Sequence, residues 1–191
     1  MKDAAMDPRA LNVRQFCSQQ QQWAGEWPTL SLSRLSEGLF AEPAPNQTVQ
    51  WSLQGLLVPS PAGEPELWLH LQAQTSVTLQ CQRCLQAMDQ PLQVDRRFRF
   101  VRTEAEAERL DEVSEEDVLV LSPKIDAMEL LEDELILVLP LVPRHESVCP
   151  NPLPLPSDEL DLEEPAPNPF AALAALRSGR GGGGGGSGGL N

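Results

Sequence analysis

The sequence predicts an α+β domain: an antiparallel sheet, open or closed into a barrel, with one or two packed helices and a disordered C-terminal tail. Three observations carry this. Residues 48–58 and 66–80 are two runs of alternating apolar side chains on either side of a Pro59-Ser60-Pro61-Ala62-Gly63 turn. A third alternating run spans 91–102, and a single helical stripe follows over 126–138. Strands in succession followed by a helix favour α+β over an alternating α/β pattern. A length of 191 residues suits one domain with tails, and 41% apolar residues suffice for one core.

The elements follow in chain order. Residues 7–16 predict a short helix, because Asp7 can cap it and Pro8 sits at the first helical position, where its missing N–H costs nothing. Leu11 and Phe16 can dock it. Residues 18–22 are polar and aperiodic, and Trp23, Trp27 and Leu30 are scattered anchors. In the first strand Val49, Trp51, Leu53 and Gly55 alternate with Gln50, Ser52 and Gln54. In the second, Leu67, Leu69 and Leu71 alternate with Trp68, His70 and Gln72, and the two runs read as an antiparallel hairpin.

Cys81-Gln82-Arg83-Cys84 then closes the second run as a tight turn. In the third strand Leu92, Val94, Phe98 and Phe100 share one parity with Arg96, while Arg97 and Arg99 share the other. Residues 103–117 are acidic and aperiodic, which predicts a mobile loop, with a short fourth strand over Asp117 to Leu121.

Over 126–138, Asp126 with Glu129 fits a capping arrangement, and Met128, Leu131, Leu135 and Val138 form an apolar stripe. That stripe turns Glu129, Glu132 and Asp133 to solvent. Pro140 and Pro143 end the helix. The folded domain is expected over 1–149. Residues 150–191 are expected to be a flexible tail, first rich in proline and acid, then in glycine, with a short apolar segment at 169–177.

The net charge of −14 is unevenly spread. Residues 1–102 hold nine basic and nine acidic side chains, whereas 103–191 hold five basic and nineteen acidic. Phosphate contact therefore has to come from the first half, and the acidic half suits a basic protein or serves as a solubilising surface. Four cysteines in this length are not a disulfide framework. No basic start with an apolar stretch marks a signal peptide, and the longest apolar run, Leu135 to Val142, is far short of the ~20 residues that span a bilayer. The expectation is a cytoplasmic protein with reduced thiols and no membrane partner.

Three groups of residues can carry chemistry. Cys81 and Cys84 can clamp one metal from a turn, and His145 with Cys149 can complete a tetrahedral site, a possible structural zinc. The same cysteines also read as a buried thiol pair or a redox-labile one. Arg96, Arg97, Arg99 and Arg102, with Arg83 nearby, interleave with Phe98 and Phe100 and suit RNA or partner contact. They equally suit a solvated face with its phenylalanines in the core. Asp126, Glu129, Glu132, Asp133 and Glu134 could hold Mg²⁺ or serve glycoside chemistry, but they read as a solvated helix face. No nucleophile elbow, P-loop or dinucleotide fingerprint is present, and nothing argues for an enzyme or a small-molecule substrate.

Several blocks together resemble the YceD family, the large ribosomal RNA subunit accumulation proteins. They are Met6-Asp7-Pro8-Arg9, Cys81-Gln82-Arg83-Cys84-Leu85, Ile125-Asp126, and Leu130-Leu131-Glu132-Asp133-Glu134-Leu135-Ile136-Leu137. Leu139-Pro140-Leu141-Val142-Pro143-Arg144-His145 with Cys149, and Asn168-Pro169-Phe170-Ala171-Ala172-Leu173, complete the set, so the likeness covers about residues 6–176. The helix-to-proline block is its most specific part. The resemblance implies a role in synthesis, processing or stability of 23S ribosomal RNA, assigns no catalytic residue, and implies Met6 as initiator. The zinc expectation rests on the residues alone.

The leading expectation is thus a non-enzymatic ribosome-biogenesis factor that binds ribosomal RNA or a pre-ribosomal large subunit. The alternative is an acidic interaction module for a basic ribosomal protein or assembly enzyme. A hydrolase using the acidic helix ranks last.

Overall fold

The computed structural model describes residues 7–60, 63–114 and 116–150. Among them a five-stranded open sheet runs in the order β1 (Gln22–Pro28), β2 (Thr48–Val58), β3 (Glu66–Gln80), β4 (Ala87–Val101) and β5 (Asp117–Val120). The first four strands are antiparallel neighbours, and β5 joins β4 in parallel. The helices are α1 (Val13–Ser18), α2 (Ser33–Glu37), α3 (Glu104–Asp111) and α4 (Ala127–Leu137). The fold is α+β as expected, with the sheet not closed into a barrel.

Alternation sets the two faces of this sheet. Val49, Trp51 and Leu53 of β2, Leu69, Leu71 and Val77 of β3, and Leu92, Val94 and Phe98 of β4 are buried on one face. Helices α1, α2 and α4 contribute Phe16, Leu35, Leu131 and Leu135 to the same core. Gly55 is required where α1 crosses β2. A Cβ there would sit 2.8 Å from both the Phe16 ring and the Phe16 carbonyl oxygen. The opposite face carries Gln50, Gln54, His70, Gln72, Gln74, Gln93 and Arg97, all exposed or half-buried.

Four local expectations need correction. The 7–16 helix is split: a 3₁₀ turn at Pro8–Ala10, capped by Asp7, is separated from α1 because Leu11 pairs with Ile125 in an isolated bridge. Gln22, Trp23 and Trp27 lie in strand β1, while the rest of the polar stretch ends α1 and turns into that strand. Trp23, Gly25 and Trp27 alternate toward the core, where Trp27 stacks on Trp51 at 4.5 Å and Trp23 meets Phe16 edge-on at 4.9 Å. Gly25 leaves room for the Trp51 ring, which would lie 3.1 Å from an added Cβ.

The acidic 103–117 segment contains helix α3, started by the Thr103 side chain accepting from the Glu106 N–H. Lastly, Glu134 is buried rather than on a solvated face, and so is Glu132. The Glu132 Oε1 accepts from the Leu35 N–H (3.1 Å) and its Oε2 from Arg34 Nε (3.1 Å), so one carboxylate ties α4 to the start of α2. A buried carboxylate is tolerated when donors replace its water.

The 126–138 helix and the 117–121 strand appear within a residue or two of expectation, and Asp126 accepts from the Met128 and Glu129 N–H groups as the cap. The 150–191 tail, its 169–177 segment and the Met6 start lie outside the described residues, save Pro150 itself. No described helix is long and apolar enough to cross a membrane.

Candidate metal centre

The turn between β3 and β4 is built so that two sulfurs point the same way. The Cys81 N–H donates to the Gln86 carbonyl (2.9 Å) and the Leu85 N–H to the Cys81 carbonyl (2.8 Å), wrapping the chain around Cys81. Leu85 completes the wrap at φ 59°, in the left-handed region that costs a branched side chain about 1 kcal/mol or more.

The other half of the site arrives from the loop after α4. Helix α4 ends at Leu137, and Pro140 and Pro143 beyond it cannot continue the helix. The Gln82 N–H donates to the Pro143 carbonyl (2.9 Å), which lays the loop along the turn. His145 and Cys149 follow from that anchor.

Cys81, Cys84, His145 and Cys149 therefore converge, with their ligating atoms all within 4.8 Å of one another. The Cys81 and Cys149 sulfurs are 3.8 Å apart, and the Cys84 sulfur is 3.6 Å from His145 Nδ1. Tetrahedral zinc with Zn–S of about 2.3 Å and Zn–N of about 2.05 Å demands S···S edges near 3.8 Å and S···N edges near 3.6 Å. These two edges match that demand. All three cysteines are buried and free of disulfides.

The electrostatics suit a cation. Burial raises the Cys81 thiol, but the backbone N–H groups of His145, Arg83 and Cys84 aimed at its sulfur outweigh that and bring it down to about 5. Cys84 goes the other way: burial, and then contact with the Cys149 and Cys81 sulfurs, push it up. Three sulfurs this close cannot all be thiolates unless a positive ion lies among them. Arg83 also joins the cluster. Its Nε donates to the Cys149 sulfur (3.0 Å) and its Nη2 to the Ser147 carbonyl (2.7 Å).

The sequence profile of the family described as "Large ribosomal RNA subunit accumulation protein YceD" matches residues 69–177. The chain belongs to the YceD family. That stretch begins in β3 and contains all four clustered residues and every arginine of the candidate contact set. Among curated relatives, the large ribosomal RNA subunit accumulation protein YceD of Haemophilus influenzae is 38% identical over 104 residues, 53% of this chain and 60% of that relative. The aligned part thus spans about three fifths of the relative's length. No solved structure matches the chain. The YceD description names an accumulation role, not a reaction.

The arginines of this YceD chain do not share one surface. Arg83 belongs to the sulfur cluster. Arg96 has core-face parity and is held by Asp117 (2.7 Å) and Glu134 (3.2 Å). Arg99 lies on the opposite face, pairs with Glu66 (2.6 Å), and sits 6.0 Å from the centre of the Trp68 ring. Arg97 shares that face with His70, which contacts Asp95 at 2.7 Å. Arg102, past the strand end, pairs with Glu64.

Two features escaped the sequence reading: the pairing of Glu134 with Arg96, and the glutamine-lined hollow of about 450 Å³ where Gln50, Gln72, Gln74 and Gln93 meet. The glutamines do alternate in 50–54 and 72–74, a signal that marked strands without marking a surface.

Proposed function

We propose that this chain is a non-enzymatic factor for accumulation of 23S ribosomal RNA, working in the cytoplasm by binding ribosomal RNA or a pre-ribosomal large subunit. The observation that carries the role is the family match across residues 69–177. One domain, expected over 1–149, performs it. Cys81, Cys84, His145 and Cys149 hold one structural zinc. Its work is mechanical: it fastens the loop after α4 to the β3–β4 turn, and a closed four-ligand site leaves no position open for catalysis.

The contact surface is the sheet face that bears Arg97 and Arg99. Arginine forks suit phosphate, and the exposed amides of Gln72, Gln74 and Gln93 can donate to and accept from base edges. The double change Arg97→Glu, Arg99→Glu reverses the charge of this face. Affinity for ribosomal RNA should fall roughly 10-fold or more, the worth of one or two charge-assisted hydrogen bonds. Unchanged binding would remove this surface.

A second reading is favoured by the ion pairs. Arg96, Arg99 and Arg102 are already matched by carboxylates, and residues 103–191 hold nineteen acids against five bases. On this reading the chain is an acidic module for a basic ribosomal protein. Salt-sensitive binding to such a protein, with none to RNA, would select it.

A further inference from the structure

We infer that Arg83 is a positioning residue of the metal centre, gripping the Cys149 loop in ligating geometry and cancelling the charge of the filled site. This rests on the metal reading above. Cys81 and Cys84 are placed by their own turn, but Cys149 comes from a loop that has to be held. The Arg83 fork does this at two points, the Cys149 sulfur at 3.0 Å and the Ser147 carbonyl at 2.7 Å. Those points lie two residues apart on one stretch of chain, so together they fix both its position and its direction.

The charge count leads to the same assignment. Three thiolates and a neutral imidazole around a divalent ion sum to one negative charge. The cysteines are 0%, 2% and 3% exposed, so water does little to offset it. The guanidinium brings one positive charge to within hydrogen-bond distance of a ligating sulfur. Outer partners of this kind orient the ligands and tune the metal. Two of the donor nitrogens of Arg83 are taken in this way, which leaves the residue poorly placed to grip a phosphate by the same edge.

The test uses the full-length chain loaded with zinc, and follows zinc transfer to an excess of chelating dye. Arg83→Gln should release zinc roughly 10- to 100-fold faster than wild type. Arg83→Lys keeps the charge but offers a single point of contact, so it should fall between the two. A cobalt-loaded sample gives a second readout. Losing a donor at sulfur raises the sulfur electron energies, so the thiolate-to-cobalt absorption should move to longer wavelength in Arg83→Gln and less in Arg83→Lys.

Transfer from Arg83→Gln within about twofold of wild type, with the cobalt band unmoved, overturns the assignment. If Arg83→Gln does not fold, Arg83→Lys carries the test, and wild-type behaviour there overturns it equally. A wild-type chain that takes up neither zinc nor cobalt removes the metal centre itself and Arg83's role with it. A wild type that binds zinc beside indifferent variants removes Arg83 alone.

Discussion

The turn before β4 and the second half of β4 hold the two candidate groups, and they arrange them in opposite ways. At the turn before β4, Cys81, Cys84 and Arg83 gather toward one point and draw in His145 and Cys149 from some sixty residues away. Along the second half of β4, Arg96 and Arg97 are sequence neighbours whose side chains leave on opposite faces, and each finds its own carboxylate surroundings. A turn makes close spacing in sequence into convergence in space. A strand makes it into divergence. The first end should therefore respond to change as one unit, and the second as separate parts.

The largest expected effect tests the unity of the turn end. Purified chain should carry about one zinc, and Cys84→Ser should reduce that to near zero. Because the four ligands act together, the double change Cys84→Ser, His145→Ala should melt no lower than the worse single variant. Zinc retained in Cys84→Ser, or a double variant that melts far below either single one, would break the picture of a single clamp.

The same contrast explains what was legible in the sequence. The cysteine spacing and the His145-x-x-x-Cys149 spacing singled out the four residues that the fold gathers, because turn chemistry and residue type are local. The Gln82 to Pro143 hydrogen bond that joins the halves has no local signal. The strands of the central sheet were legible from alternation. Strand β1 was not, because its Trp23-x-Gly25-x-Trp27 alternation includes a glycine whose role is to admit the Trp51 ring from the neighbouring strand. Glu132 looked like a solvent-facing helix residue because nothing near it announces that the Leu35 N–H and Arg34 lie a hundred residues upstream in contact with it. The parity that sets Arg96 apart from Arg97 and Arg99 is legible in the arginine run; the carboxylates that hold Arg96 and Arg99 are not, because Asp117, Glu134 and Glu66 are distant in sequence.

A middle-sized effect probes the arginine end where it is most buried. Glu134 is 5% exposed and meets Arg96 at 3.2 Å. Arg96→Ala leaves that carboxylate without its cation and should cost about 1–3 kcal/mol, less than a fully buried pair because Arg96 is itself half exposed. The cost should depend on pH. Burial first, with the Asp117 and Asp133 charges adding, holds the Glu134 carboxyl above the usual carboxylate range, against the opposing pull of Arg96. The folded chain thus binds that proton more tightly than the unfolded chain does. This group's contribution to stability then falls as pH rises from the ordinary carboxylate range through the raised value. Without Arg96 the value rises further, so the deficit should be small near pH 4 and full near pH 7. Urea unfolding at both pH values checks this, and an equal deficit at each would show that Glu134 is not the group responsible.

The smallest effect is the sharpest test of separateness. The Arg102–Glu64 pair joins side chains that are 62% and 76% exposed, so solvent screens it and ordering two long side chains offsets most of its attraction. Arg102→Ala should change stability by no more than about 0.5 kcal/mol. Combined with Arg96→Ala, it should add to within about 0.5 kcal/mol, since Arg96 bonds to Asp117 and Glu134 while Arg102 bonds to Glu64, and they share no partner. Additivity here beside non-additivity among the cysteine and histidine ligands would mean that strand parity divides the arginines energetically as well as geometrically. A coupling of about 1 kcal/mol or more between Arg96 and Arg102 would instead mean that the carboxylates along β4 form one connected network. The arginines would then deserve treatment as a single surface after all.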